Sequence, residues 1–417
     1  MRLPGAGVFR SLRGVNFRLW SVGALVSNVG TWMQRVAQDW LVLTQLTHHS
    51  ATALGTVMAL QFGPQLLLLP WTGSAADHFD QRKLLMATQG AMGVCALILG
   101  ALTVFGLVQL WEVYLLTFLS GCAAAFDAPV RQTFVAALVG DEDLPNAVAL
   151  NSMSFNAAQM IGPAVAGLTI AAIGDGWAFI ANGASFGAVL ISLGFLRTLE
   201  LRHRPRAARS PGGFLGNFLE GLRYVWDRPD LKAVLIMLFL FGTFGLNFPI
   251  FISTMAVRVF HTDARGFGLL SSIMAIGALA GALLAAARGR VGFGSLLLGA
   301  GVFGAGCVLA ALAPSYWAFA AGLVVIGISA LTFTNGTNSL MQLSTEPAMR
   351  GRVMALRIAI ALGGAPIGSL ILGWVADRFG PRWTLGLGAT AGFAAAAIAA
   401  GFLAGRRGRL LTPVHDK

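Results

Sequence analysis

Residues 84–106 read LLMATQGAMGVCALILGALTVFG, a run that contains no Asp, Glu, Lys or Arg and follows directly on Arg82 and Lys83. At about 1.5 Å per residue a helix of this length is roughly 34 Å long, enough to cross a hydrocarbon core of roughly 30 Å. Such a run belongs in lipid. Working outward in both directions, comparable runs fall at about 18–43, 52–73, 111–135, 146–173, 177–197, 231–257, 266–287, 293–313, 315–343, 350–376 and 382–405, which makes twelve expected spans.

Composition supports that reading and excludes a soluble enzyme. Of 417 residues, 56% are hydrophobic and 11% charged, and the mean hydropathy is +0.73. Soluble domains carry about 25% charged residues, so this chain has too little polar surface to face water. The net charge of +12 comes from short basic clusters between apolar runs, with no contiguous basic domain, which argues against a nucleic-acid partner and for basic cytoplasmic loops. Cys95, Cys122 and Cys307 lie inside apolar runs without metal spacing, so neither a metal nor a disulfide is expected. No Walker-type loop or catalytic triad appears, so neither ATP hydrolysis nor covalent catalysis is expected, and no cofactor is called for. The basic Met1–Arg18 stretch leads into an apolar run without a small-residue cleavage pattern and reads as the flank of a retained first span.

With the N-terminus in the cytoplasm, 24 of the 29 basic residues face inward, Arg35 lies within the first span, and only Arg258, Arg265, Arg378 and Arg382 face outward. The excess of inward Lys and Arg sets this orientation, with both termini cytoplasmic. One long polar stretch, 198–230, divides the spans six and six. It carries Arg202, Arg204, Arg206 and Arg209, then an expected amphipathic helix from Phe214 to Trp226. The expected organisation is therefore a bundle over 1–197, a cytoplasmic basic linker over 198–230 and a second bundle over 231–417. The halves echo each other: Gly93-Val94-Cys95-Ala96-Leu97 parallels Ala305-Gly306-Cys307-Val308-Leu309, and Ala147-Val148-Ala149-Leu150 parallels Val353-Met354-Ala355-Leu356. Repeated membrane bundles suggest a transporter with a site between repeats.

The loop after the second span, Gly73-Ser74-Ala75-Ala76-Asp77-His78-Phe79-Asp80-Gln81-Arg82-Lys83, resembles the cytoplasmic loop motif of the major facilitator superfamily. Gly73, Asp77, Arg82 and Lys83 match; His78 and Asp80 depart from the usual basic residue and glycine. A similar run at Gly373 to Arg382 falls on the expected outer face and is assigned no such role. Ser27 to Gln34, Phe126 to Gln132, Leu144 to Ser152 and Arg350 to Met354 resemble the branch that contains the enterobactin exporter and the transmembrane secretion effectors. Gly162-Pro163 with Gly167 resembles that superfamily's antiporter motif, and Pro366 stands in the corresponding place in the second half. The resemblance implies an all-α membrane protein of twelve helices in two pseudo-symmetric six-helix bundles. It also implies a monomer of the bacterial inner membrane that exports an organic compound by alternating access, with protons as the coupling ion. An importer, a facilitative uniporter and a non-transporting sensor or scaffold are the alternatives.

Charges inside spans cost several kcal/mol, roughly 2.5–3.5 on insertion scales, and mark functional candidates. Arg35 and Asp39, four positions apart, are expected to share a face and neutralise each other, either as an interfacial ion pair near the outer boundary or in proton coupling or an outer gate. Asp127, one turn from Arg131 and expected near Arg82, joins Gly73, Asp77, Arg82, Lys83 and Arg131 as a cytoplasmic latch. Gly162, Pro163, Gly167 and Pro366 are the expected rocking elements. Asn28, Trp32, Gln34, Gln61, Asn151, Asn156, Asn247, Asn335 and Asn338 are the expected lining of the substrate cavity.

Overall fold

The computed structural model describes residues 7, 9–202, 213–287 and 292–411. Among them every regular element is a helix: α1 Val15–Leu41, α2 Ala51–Leu67, α3 Leu69–His78, α4 Gln81–Val104, α5 Leu110–Leu138, α6 Leu144–Ile173, α7 Asp175–Gly194 and α8 Gly213–Trp226. They are followed by α9 Pro229–Leu240, α10 Phe248–Arg258, α11 Ala264–Ala287, α12 Phe293–Ala311, α13 Tyr316–Ser344, α14 Arg350–Phe379 and α15 Pro381–Leu411. The chain is thus a membrane protein, all-helical among the described residues, in which ten helices are long and apolar enough to cross a bilayer; one of these runs from Pro229 to Arg258, through α9 and α10.

The remaining two expected spans coincide with α1 and with α2 plus α3, and both depart from simple apolar rods for identifiable reasons. α1 carries Arg18, Arg35, Asp39 and several amides, and ends in a π-helical turn at Val42–Leu46. The second expected span is interrupted at Leu68. Pro70 follows at the start of α3, and proline has no amide hydrogen with which to continue the ladder of the preceding helix.

Residues group into two compact units, each discontinuous in sequence. The first comprises Met1–Ala53, Leu60–Arg209 and His261–Ser272, and the second Leu54–Ala59, Ser210–Phe260 and Ile273–Lys417. In the first unit α1 packs on α6 and α7, and α4 on α5 and α7. A Cβ added to Gly100 would meet the Ile180 amide at 2.9 Å, so α4 and α7 approach almost backbone to backbone. In the second unit α12 packs on α13 and α15. There a Cβ on Gly392 would stand 2.8 Å from the Gly304 amide. Small residues at both contacts allow the dispersion-driven packing that membrane helices rely on. Cys95 on α4 and Cys307 on α12 are buried and free, and Cys122 is half-buried and free.

The run 231–257 is also interrupted. α9 passes into a π-helical turn at Phe241–Gly245, breaks at Leu246 and Asn247, and resumes as α10 with Pro249 in its first turn. The Asn247 side chain donates to the Thr243 carbonyl at 2.6 Å, giving that carbonyl a partner where the regular ladder is lost. α14 presents Gly364 and Gly368 to this turn, and a Cβ on Gly368 would sit 1.6 Å from the Thr243 carbonyl oxygen. The amphipathic helix expected over 214–226 is present as α8. It is tied to the start of α14 by Glu220 and Arg352, 3.2 Å apart. The linker's Arg204, Arg206 and Arg209 lie outside the described residues.

Gly368→Ala is expected to destabilise the protein by about 1–3 kcal/mol or more, the range for overpacking a tight contact. Gly187→Ala, where a Cβ meets nothing within 4 Å, should be neutral or stabilising by up to about 1 kcal/mol. Thermal unfolding of the two purified variants side by side checks this.

Candidate functional site

The best-satisfied charge in the apolar interior is Asp127, on α5. It is 5% exposed. Its carboxylate accepts from Gln89 Nε2 on α4 at 2.7 Å and from Arg131 Nε one turn along at 3.0 Å, and the Thr88 hydroxyl lies 3.0 Å from Oδ1. Arg131 donates in turn to Asn28 Oδ1 on α1 at 3.1 Å, with its guanidinium 5.8 Å from the Trp20 ring. Three helices thus meet on one ion pair, and each polar atom of the carboxylate has a donor. Asn28, expected to line a cavity, belongs to this network.

The rest of the expected latch divides differently. Arg82 donates to the carbonyls of Leu193 and Gly194, at 2.6 and 3.1 Å, where α7 ends. The last carbonyls of a helix have no intrahelical partner and carry its negative dipole end, so a cation is favoured there. The expected approach of Arg82 to Asp127 is replaced by this cap. Gly73 and Asp77 lie on α3, but their side chains fall outside the described ones. Asp80 caps α4 by accepting from the Lys83 amide at 2.9 Å. Asp377, in the second glycine-led motif, pairs with Arg258 at 3.0 Å.

Arg35 and Asp39 do not pair. Helical side chains lean towards the N-terminus, and Arg35 follows this: its guanidinium lies 4.6 Å from the centre of the Trp32 ring and 5.7 Å from that of Phe62, back along α1 from Asp39. A cation placed N-terminal to its carboxylate is also the weaker order of an i,i+4 pair. Arg35 Nε is buried without a partner. Asp39, 8% exposed, has no hydrogen bond or ion pair among the described residues.

Two cavities gather four of the nine residues expected to line the substrate cavity. One, of about 70 Å³ within the first unit, brings Gln34, Arg35, Gln61, Gln65 and Thr117 together with Gln38. Gln34 is held there by Asn182, whose Nδ2 donates to Gln34 Oε1 at 2.5 Å. The other, of about 210 Å³ within the second unit, is lined by Asn335 and Asn338 with Ser295, Thr332 and Ser339. Asn151 and Asn156 lie half-exposed on α6 without a hydrogen bond among the described residues. Asn247 is 0% exposed and serves the helix break described above, which removes it from any cavity lining. Trp32 stacks edge-on against Phe155 at 5.9 Å.

On α6, Gly162 meets α1, where a Cβ would lie 2.5 Å from Trp32 Cβ. Gly167 meets the start of α11, at 2.7 Å from the Ala264 carbonyl oxygen, and a Cβ on Gly268 would stand 2.4 Å from the carbonyl of Pro163. Pro366 lies within α14 between Gly364 and Gly368. Sequence reasoning overlooked Thr88, Gln89, Thr117 and Asn182. The available signal was a polar side chain facing the neighbouring helices inside a run otherwise free of them. It also overlooked Arg357, which falls within the expected span 350–376 and was counted only among the inward-facing cations. Arg357 is buried, donates to the Thr334 carbonyl at 2.9 Å, and leaves Nε unpartnered.

Helical units with paired charges, polar cavities and interrupted helices inside apolar spans define a multi-pass membrane transporter. The fold is similar to that of a bacterial homologue of the human lysosomal transporter Spinster, with a TM-score of 0.73 and 15% identity over 94% of this chain and 97% of that one. A family model described as transmembrane secretion effector matches residues 6–407, and the chain belongs to that family within the major facilitator superfamily. Relatives include a staphyloferrin A transporter of Staphylococcus aureus, 24% identical over 84% of this chain and 87% of that protein. The enterobactin exporter of Shigella flexneri is 27% identical over 93% of this chain and 88% of its own.

Removing one member of a buried ion pair strands the other, at about 3–5 kcal/mol. Asp127→Ala and Arg131→Ala should each destabilise by about 3 kcal/mol or more, and the double variant by clearly less than their sum. Denaturation of the four proteins in one detergent measures the coupling.

Proposed function

We propose that the protein is a secondary active transporter of the bacterial inner membrane that exports an amphipathic organic compound, a siderophore, drug or similar metabolite, in exchange for protons. The observation that carries the reading is the family match across nearly the whole chain, joined to relatives that transport or export siderophores. In this reading α1 and the α2–α3 pair supply the last two of twelve spans, six on each side of the 198–230 linker. Both termini are cytoplasmic, as the inward bias of Lys and Arg requires. The protein works as a monomer.

In this mechanism two conformations differ in which face admits cargo, and the ligand and proton shift their populations by differential binding. Asp39 carries the coupling proton: it is a carboxylate within the first span that no cation neutralises directly. The Asp127–Arg131 network, with the Asp77, Arg82 and Lys83 loop, biases one conformation. Gly162, Pro163, Gly167 and Pro366 provide backbone contacts that permit movement. Asn151, Asn156, Asn335 and Asn338 contact cargo, together with the Gln34 and Gln61 amides.

In inverted membrane vesicles carrying a proton gradient, chain-dependent accumulation of a siderophore or of ethidium is expected, and it should collapse when an uncoupler dissipates the gradient. Accumulation that persists unchanged overturns the coupling, and accumulation confined to right-side-out vesicles overturns export. Asp39→Asn should abolish gradient-driven accumulation while leaving gradient-independent exchange of cargo across the membrane.

A further inference from the structure

The cavity around Arg35 has an unusual balance of charge. Arg35 brings a full positive charge and an unpartnered, buried Nε. Thr117, on α5, is 4% exposed, and its hydroxyl is likewise buried without a partner. The side chains of Gln38, Gln61 and Gln65 make no hydrogen bond among the described residues, and Gln34 has its carbonyl oxygen occupied by Asn182 and its amide hydrogens free. No Asp or Glu is among the described residues lining the cavity. Asp39, the nearest acid along α1, attracts Arg35 electrostatically but makes no direct ion pair with it among the described residues.

A guanidinium in such a place is costly unless an anion accompanies it. The Trp32 and Phe62 rings stabilise its faces, but ring faces offer nothing to the in-plane N–H groups, which match a carboxylate edge-on. The surrounding amides and the Thr117 hydroxyl each have a donor to offer. A volume of about 70 Å³ holds a few waters, each taking about 30 Å³ in the liquid. It therefore accommodates a carboxylate group, with the rest of a larger compound lying outside it.

We propose that the Arg35 cavity is a subsite for the carboxylate of the transported compound, with the guanidinium as its counter-ion and the Gln61, Gln65 and Thr117 side chains completing its hydrogen bonds. This rests on the transporter reading and names the charge class of its cargo. Gln34 is held at the cavity edge by Asn182, and Trp32 fixes the plane of the guanidinium, so the two act as positioning residues.

The test is calorimetric titration of the purified full-length protein with acetate, acetamide, chloride and salicylate at constant ionic strength. Acetate and salicylate should bind at least tenfold more tightly than acetamide. Arg35→Gln should lose at least tenfold of that affinity, and Arg35→Lys should retain part of it. Gln61→Glu places a carboxylate inside the cavity beside Arg35 and should exclude acetate while unfolding at or above the wild-type temperature, which separates loss of the site from loss of the fold. Equal binding of acetate and acetamide, or undiminished acetate binding by Arg35→Gln, overturns the proposal. Chloride binding as tightly as acetate with salicylate excluded assigns the cavity to a free inorganic ion and overturns its role in cargo recognition. Absence of any chain-dependent flux in vesicles, with acetate binding intact, would instead remove the transporter reading and leave the anion site standing.

Discussion

Hydrocarbon offers no hydrogen-bond partner, so every polar group carried into it must find one inside the protein. The continuous helices meet this demand with their own backbone. Where the ladder fails, at Phe241–Asn247, a side chain repairs it: Asn247 reaches the Thr243 carbonyl. The same constraint divides the interior charges into two kinds. Asp127 and Arg131 are saturated by Gln89, Thr88 and Asn28, and hold α1, α4 and α5 together. Arg35 and Arg357 each keep a buried Nε without a partner. Structure alone gives a chain little reason to carry such groups into a bilayer.

The internal echo of sequence has a physical counterpart in each unit. α4 closes on α7 and α12 closes on α15, in both cases through glycines that bring backbones together, and Cys95 and Cys307 occupy matching places in the echo. The copies then diverge in their chemistry. Immediately after Ala147-Val148-Ala149-Leu150 stands Asn151, whereas after Val353-Met354-Ala355-Leu356 stands Arg357. One copy carries a half-exposed amide there and the other a buried cation whose side chain holds a carbonyl of the neighbouring helix. The two units thus share a mode of packing and differ in the polar chemistry that they carry.

Most of the fold was legible because hydropathy over twenty residues is a strong signal and lipid leaves few alternatives. The Asp127–Arg131 pair was legible for the same reason that it is stable, since one helical turn separates a carboxylate and a guanidinium in the favourable order. Arg35 and Asp39 have the same spacing in reverse order, and spacing alone did not show which way the arginine would lean. Arg82 was misplaced because its partners are main-chain carbonyls at the end of α7, which no side-chain pattern announces. The break at Asn247 was signalled by Gly245 and Pro249 on either side of it, but an average of hydropathy over the run passes over such residues. The mean hydropathy of a run records whether it enters the membrane, but carries no information on whether its backbone stays regular.

The contact of the Phe241–Gly245 turn with Gly364 and Gly368 involves main chain, the Thr243 hydroxyl and the Asn247 amide on one side and bare Cα atoms on the other. Interlocked side chains resist sliding, because each must leave one hole before it enters the next. Here α14 contributes no knobs at Gly364 and Gly368, so its side of the contact has no side chains to lift out of holes. The two helices are therefore held there by close fit to the Thr243 carbonyl and the Asn247 amide, and not by interlocked side chains.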